Sequence, residues 1–178
     1  GLFHDAITAT IDVYNNNTTN LLLNVPVPQS TGYSTNLVNV GKVNNRGFEV
    51  SLSSSNQVGK LKISNSANFS RNINKVMDLG GVNSIVTKAE NTIYFITQVG
   101  KPIGNYYTLV QTGVYRDQAD IDNTPAKVPG AKPGDMKYKD INGDGIIDGN
   151  DKAITGNYMP KFTYGFSTQL QYGIADLS

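Results

Sequence analysis

Between Phe162 and Tyr172 the side chains alternate almost without error. Phe162, Tyr164, Phe166, Leu170 and Tyr172 share one face with Thr168, and Thr163, Gly165, Ser167, Gln169 and Gln171 share the other. A period of two is the signature of a β-strand, because successive side chains leave opposite faces of the pleat. The same period runs through Ile7, Ala9, Ile11 and Val13, through Phe48, Val50 and Leu52, and through Leu61, Ile63, Ala67 and Phe69. Asn65 interrupts the last of these sets at its centre. Asn15-Asn16-Asn17 predicts a turn, since Asn tolerates left-handed backbone. Pro26 and Pro28 are expected to end the run Leu21–Val25, since proline gives no ladder donor. The polar stretch from Gln29 to Asn36 reads as a loop. Ser55-Asn56-Gln57 with Gly59 predicts the tip of a long hairpin. Tyr94–Ile96 and Tyr106–Tyr115 are β-prone, and no helix is predicted.

The polar face decides between two all-β architectures. A solvated sheet usually carries Lys and Glu outward, but here that face is Ser, Thr, Asn, Gln and Gly. Charged residues are only 16% of the chain, against about 25% in ordinary globular domains. A strand of about 10 residues with one apolar face, one small polar face and aromatics at both ends matches a transmembrane barrel, lipid outside and lumen inside. Connection lengths agree, with short turns at 15–17 and 57–59 and long ones at 26–41 and 74–160, as barrels have short turns on one side only. The expected fold class is therefore all-β, with antiparallel strands forming part of an outer-membrane β-barrel. The whole of 1–178 is read as an incomplete barrel region, with 74–160 as a long loop region. The competing architecture is a soluble extracellular β-sandwich that binds calcium and serves adhesion or carbohydrate recognition. The chain opens Gly1-Leu2-Phe3 without Met and ends Ala175-Asp176-Leu177-Ser178, which reads as the start of another strand. We expect a piece of a larger protein.

Several chemistries are excluded. There is no Cys, and His4 is the single histidine, read as an exposed residue at the start of the first strand. Thiolate sites and multi-histidine zinc sites are therefore absent, and a Ser-His-Asp triad is disfavoured. The net charge of +1 gives no electrostatic footprint for nucleic acid. The carboxylates lie in loops rather than as a pair on firm elements, so no enzyme is expected.

One segment carries a metal-type spacing. From Asp140 to Asp151 the sequence is DINGDGIIDGND. Side-chain oxygens fall at relative positions 1, 3, 5, 9 and 12: Asp140, Asn142, Asp144, Asp148 and Asp151. Gly145 stands at position 6, where a calcium loop turns sharply, and Ile146 at position 7 offers its carbonyl. Position 12 is Asp rather than Glu, so bidentate closure is weaker. The flanks hold Pro133, Gly134, Gly156 and Pro160, so this is not a helix–loop–helix sensor. The expectation is a structural Ca2+ that stiffens a long loop. The plainer alternative is a set of Asn-Gly and Asp-Gly turns with exposed carboxylates.

Together these segments resemble a known family. Pro133–Asp148, Asp151, Ile154-Thr155-Gly156-Asn157, Pro160 and Phe162-Thr163-Tyr164-Gly165-Phe166 resemble the C-terminal part of SusC/RagA-type TonB-linked outer-membrane transporters. Ala9–Tyr14, Leu21-Leu22, Asn39-Val40-Gly41, Asn45–Glu49, Gly100–Gly104 and Gly113-Val114-Tyr115 follow in the same order. The resemblance implies a barrel of about 22 strands with a plugged lumen. It implies import of glycans or peptides across the Gram-negative outer membrane of Bacteroidetes-type bacteria. A SusD-like surface lipoprotein would act as lid, and the TonB complex would supply energy through a part of the protein outside this chain. The loops would be extracellular, with the calcium-type loop stiffening the rim.

Overall fold

The computed structural model describes residues 6–26, 30, 32–33, 35–89 and 93–178. His4, Pro28, Gln29 and the opening Gly1-Leu2-Phe3 lie outside the described residues. In chain order the elements are β1 (Ile7–Pro26), β2 (Thr35–Val58), β3 (Leu61–Leu79), β4 (Ser84–Lys88), β5 (Tyr94–Gln98), β6 (Asn105–Leu109), β7 (Gln111–Val114), α1 (Gln118–Asp122), β8 (Met136–Tyr138), β9 (Lys152–Asn157), β10 (Thr163–Tyr172) and β11 (Ala175–Leu177). They fall into two compact units, one formed by Gly1–Gly81 with Met159–Ser178 and the other by Val82–Tyr158.

The first unit is an antiparallel sheet in the order β1-β2-β3-β10-β11. It is a meander: each strand pairs with the next, and the second unit is spliced between β3 and β10. The β2–β3 hairpin closes through Gly59 and Lys60, with Val58 opposite Leu61. Gly59 has φ of +59°, which the two-residue turn requires and which costs glycine little. The β10–β11 hairpin closes through Gly173 and Ile174, with Tyr172 opposite Ala175. At the other end β1 joins β2 through residues 27–34, and β3 joins β10 through the whole second unit. Short turns and long connections therefore sit at opposite ends of the sheet, although of the two short turns expected only the one near Gly59 is present.

Lipid is the solvent this sheet is built for. Register places Ile11, Val50, Phe69 and Tyr164 in one row on one face, and Ala9, Leu52, Ala67 and Phe166 in the next. Ile11 is 68% exposed, Val13 80% and Phe166 73%. Leaving such side chains in water forfeits about 1.5–3 kcal/mol each, so the face needs an apolar environment. A β-sandwich would cover this face with its second sheet. The five strands pair as one continuous meander, which provides no second facing sheet within this unit. The opposite face carries Thr8, Ser53, Ser66 and Ser167 in one row and Thr10, Ser51, Asn68 and Gly165 in the next. β10 has 10 residues, about 33 Å of strand. Tilted near 40°, that spans the ~25 Å apolar band of a barrel.

The predicted turn at Asn15–Asn17 is absent, and β1 continues through it. Asn15, Asn16 and Asn17 pair with Arg46, Asn45 and Asn44 across the ladder. The amides are used sideways: Asn44 Nδ2 donates to Asn15 Oδ1 at 2.6 Å and to Asn17 Oδ1 at 2.8 Å. On the other face Asn45 Oδ1 accepts from Asn74 Nδ2 at 2.8 Å and from Asn72 Nδ2 at 3.2 Å. Cross-strand partners thus hold extended a segment whose local preference is to turn. The left-handed residue comes later, at Asn20 (φ 60°), inside a register irregularity between Thr18 and Leu22. Likewise β2 begins at Thr35, within the predicted 26–41 connection, and β3 runs on to Leu79. β1, β2 and β3 have 20, 24 and 19 residues, about twice the 9–11 that a membrane crossing needs.

The second unit occupies most of the segment read as a long loop. Its sheet runs β4-β5-β6-β9, with β7-β8 as a separate two-stranded ribbon. Ile96, Tyr115, Ile121 and Ile147 are buried in it. Helix α1 was not anticipated. It is a single capped turn: Asp117 accepts from the Asp120 N–H at 2.8 Å. Buried Asn105 ties three segments by donating to the Pro102 carbonyl at 2.7 Å and accepting from Asn157 Nδ2 at 3.0 Å.

Candidate functional site

The acidic segment Asp140–Asp151 links β8 to β9. Its side chains fold back onto its own backbone. Asp140 Oδ1 accepts from the Gly143 N–H at 2.6 Å, and Oδ2 from the Gly145 N–H at 2.9 Å. Asn142 Oδ1 accepts from the Asp144 N–H at 3.0 Å, and Asp144 Oδ1 from the Ile146 N–H at 2.9 Å. Asp148 Oδ1 accepts from the Asn150 N–H at 2.7 Å. These are Asx-type turns, each using a carboxylate or amide to bend the chain within two to five residues.

Asp151 closes the loop. It is fully buried, and its oxygens take N–H groups from both ends: Ile141 at 2.8 Å on Oδ1, and Asp148 at 2.9 Å on Oδ2. Asn142 N–H also reaches Oδ1, at 3.4 Å. Asp148 and Asp151 form a reciprocal capping box around the 3-10 turn Gly149–Asp151. The Asp148 N–H, then that of Ile141, holds the Asp151 carboxyl below the usual range, against the opposing effect of burial. A second carboxylate in this unit is similarly occupied. Asp120 accepts from the Arg116 N–H at 3.0 Å and is paired with Lys137, and these contacts lower its pKa in that order of weight.

For a cation, the donor chemistry of the loop fits a hard ion, since every candidate ligand is an oxygen. Among the described residues no three carboxylates converge on one point. Of the six predicted ligands, Asn142, Asp144 and Asp148 are exposed around the turn, Asp140 is half-buried, Ile146 forms a parallel bridge with Lys127, and Asp151 is withdrawn beneath it. The reciprocal cap was missed by the sequence reading, although Asp at both the N-cap and three residues later is a recognisable signal.

The sheet's own functional surface is its two faces. Phe48, Phe69, Phe162 and Tyr164 form a continuous aromatic row across β2, β3 and the start of β10, with ring centroids 5.7–6.2 Å apart. Tyr172 stands at the far end of the apolar band. Aromatics at both borders of an apolar band mark the two membrane interfaces. Where Asn65 interrupts the band, it bridges its neighbours, donating to Ser54 Oγ at 3.2 Å and accepting from Thr168 Oγ1 at 2.9 Å. The opposite face has its own rungs, such as Ser70 with Thr163 at 2.6 Å. It presents hydroxyls and amides with Asp12 and Glu49, the surface of a wet lumen.

These features define a segment of transmembrane barrel wall. The chain belongs to the TonB dependent receptor-like, beta-barrel family, whose profile matches residues 2–177. Membership places the barrel in the outer membrane. Similar proteins include TonB-dependent receptor P26 of Formosa agariphila, 32% identical over 99% of this chain. TonB-dependent receptor SusC of Bacteroides thetaiotaomicron is 26% identical over the full chain. The chain spans 18% of the former and 17% of the latter. In fold it is similar to the RagAB peptide transporter, with a TM-score of 0.69 and 24% identity over 96% of this chain and 18% of that one. These relatives are receptors and transporters, not enzymes.

Proposed function

We propose that this chain forms part of the wall of a TonB-dependent transporter that imports oligosaccharides or peptides. In this reading a SusD-like surface lipoprotein lids the barrel and the TonB complex drives it. The observation that carries it is the meander itself: strands apolar on one face, hydroxyl- and amide-lined on the other, within a region the family profile matches almost end to end. The likeness in fold to a peptide transporter supports the peptide class, and the oligosaccharide class follows from the family resemblance of the sequence. The test is uptake by cells carrying the whole protein. We expect growth on one class, oligosaccharide or peptide, to require both this protein and TonB. Unchanged growth on both classes after deletion of the gene overturns the reading.

The long connections, including Val82–Tyr158, are assigned to the extracellular side, because barrels of this kind keep short turns in the periplasm. Protease added to intact cells is expected to cut within 140–151. Protection there, while other long connections are cut, removes this loop from the exposed rim.

Within that loop we assign a Ca2+ to the oxygens of Asp140, Asn142, Asp144, Asp148 and the Ile146 carbonyl, closed by Asp151. A carboxylate oxygen has two acceptor positions, and Asp151 Oδ2 uses only one of them. One oxygen is thus available for monodentate closure. Calorimetric titration of the whole protein, before and after chelation, checks this. Asp144→Asn is expected to weaken binding by about tenfold. No heat above buffer removes the ion from the account.

A further inference from the structure

Directly beyond the aromatic row, the lipid-side face turns basic. The register is unbroken from Thr18 opposite Val43 to Ile7 opposite Ser54, and from Val43 opposite Val76 to Val58 opposite Leu61. Face assignments in this stretch therefore follow by strict alternation. Val13, Phe48 and Arg71 form one row across the sheet; Asn15, Arg46 and Ile73 form the next; Asn17, Asn44 and Lys75 form the third. Arg46 lies diagonally between Arg71 and Lys75, about 7 Å from each by cross-strand geometry. All three are exposed and make no ion pair among the described residues. The nearest carboxylates in the ladder are Asp12 and Glu49, opposite one another on the lumen face, and Asp78, which stands opposite Lys42 beyond a register shift and accepts from the Gly80 N–H at 3.0 Å. The cations thus converge without a protein counter-ion at the border of the apolar band, beside Ile11, Val13 and Phe48. Amides surround them, and Asn44 is locked by its bonds to Asn15 and Asn17.

We propose that Arg46, Arg71 and Lys75 hold the phosphate of an anionic lipid in the leaflet at the long-connection end of the barrel. The lipid's chains would lie on the Ile11, Val13 and Phe48 surface below. The match is one of both chemistry and height. A phosphate accepts from two guanidinium forks and an ammonium at once. It sits at the headgroup level that the aromatic row marks. Without such an anion, three like charges would face each other where the dielectric falls, which is costly. The proposal does not depend on what the barrel carries, so it can fail while the transport reading stands.

The test uses the whole barrel protein in mild detergent, with monophosphoryl lipid A as probe and native mass spectrometry as readout. Each basic residue near a lipid surface contributes roughly fivefold, so R46Q/R71Q/K75Q together are expected to weaken retention about a hundredfold. K60Q, at the opposite end of the sheet, is expected to leave it unchanged, and inorganic phosphate is expected not to displace the lipid. Equal retention by the triple variant overturns the site, as does displacement by inorganic phosphate alone. Heat-modifiable gel mobility reports whether the variant has folded. If it has not, the wild-type protein is challenged with the same lipid lacking its phosphate, and equal retention of that lipid overturns the proposal.

Discussion

At the scale of single residues, Asp151 and Gly47 are each fixed by their surroundings. Asp151 to Asn keeps the shape but replaces an acceptor oxygen with an amide facing N–H donors. We expect the 140–151 loop to be nicked by protease several times faster, read by limited proteolysis. The same carboxylate sets a pH limit. Its folded pKa is lowered, so its contribution is complete above the ordinary Asp range. That contribution is lost as pH falls from about 4 through the lowered value. Protection of the Ile141 and Asp148 amides, corrected for the intrinsic exchange rate at each pH, is expected to hold steady down to about pH 4 and to fall below it. Gly47 is a matter of space. A Cβ there would lie 2.2 Å from the Arg71 carbonyl and 2.6 Å from the Tyr14 hydroxyl. Gly47→Ala is therefore expected to reduce the heat-modifiable fraction sharply, whereas Gly149→Ala, with open space around it, leaves that fraction alone. The sequence announced Asp140–Asp151 by spacing alone. It did not announce that the acids bond to their own backbone, because one acid pattern serves both an ion and a set of Asx turns.

At the scale of elements, alternation made β1, β3 and β10 legible, and Gly59 fixed the hairpin. What alternation could not give was their length. Asn15–Asn17 prefers to turn, and only the amides of Asn44 and its neighbours, 27 to 29 residues away, hold it straight. Short-range preference lost to long-range pairing. The polar interruption at Asn65 was equally visible, but its meaning lay in Ser54 and Thr168. Asn65→Ala leaves two hydroxyls unpartnered in lipid, an expected loss of about 1 kcal/mol. Replacing all three by Ala, Val and Val is expected to be nearly neutral, since no polar group is stranded. Equilibrium unfolding of the whole barrel in lipid vesicles compares the two, and additive losses would sink this account. Cysteine scanning of β10 checks the faces. Positions 164 and 166 should react with lipid-soluble reagents, and 167 and 169 with water-soluble ones.

At the scale of the whole molecule, the sheet does not rely on the inserted unit for its pairing. β10 is bonded directly to β3, from Ser70 opposite Thr163 to Leu61 opposite Tyr172. Cleavage anywhere in 82–158 is therefore expected to leave heat-modifiable mobility intact, with both fragments retained together until denaturation. Composition and Gly/Pro content made 74–160 read as loop, because its strands are only 3–6 residues long and too short for periodicity to register. Their order has a kinetic consequence. β3 must find β10 across some 80 intervening residues, a search whose entropic penalty grows with the logarithm of loop length. In the inserted unit, Val86, Ile96, Asn105 and Asn157 are opposite one another in turn across its four strands. At strand spacing, the first and last stand only about 14 Å apart. Once that small sheet has formed, the long tether behaves as a short one, and the closure penalty falls by about 1.5 kcal/mol. The small sheet between β3 and β10 in the sequence thus shortens the search by which those two strands pair.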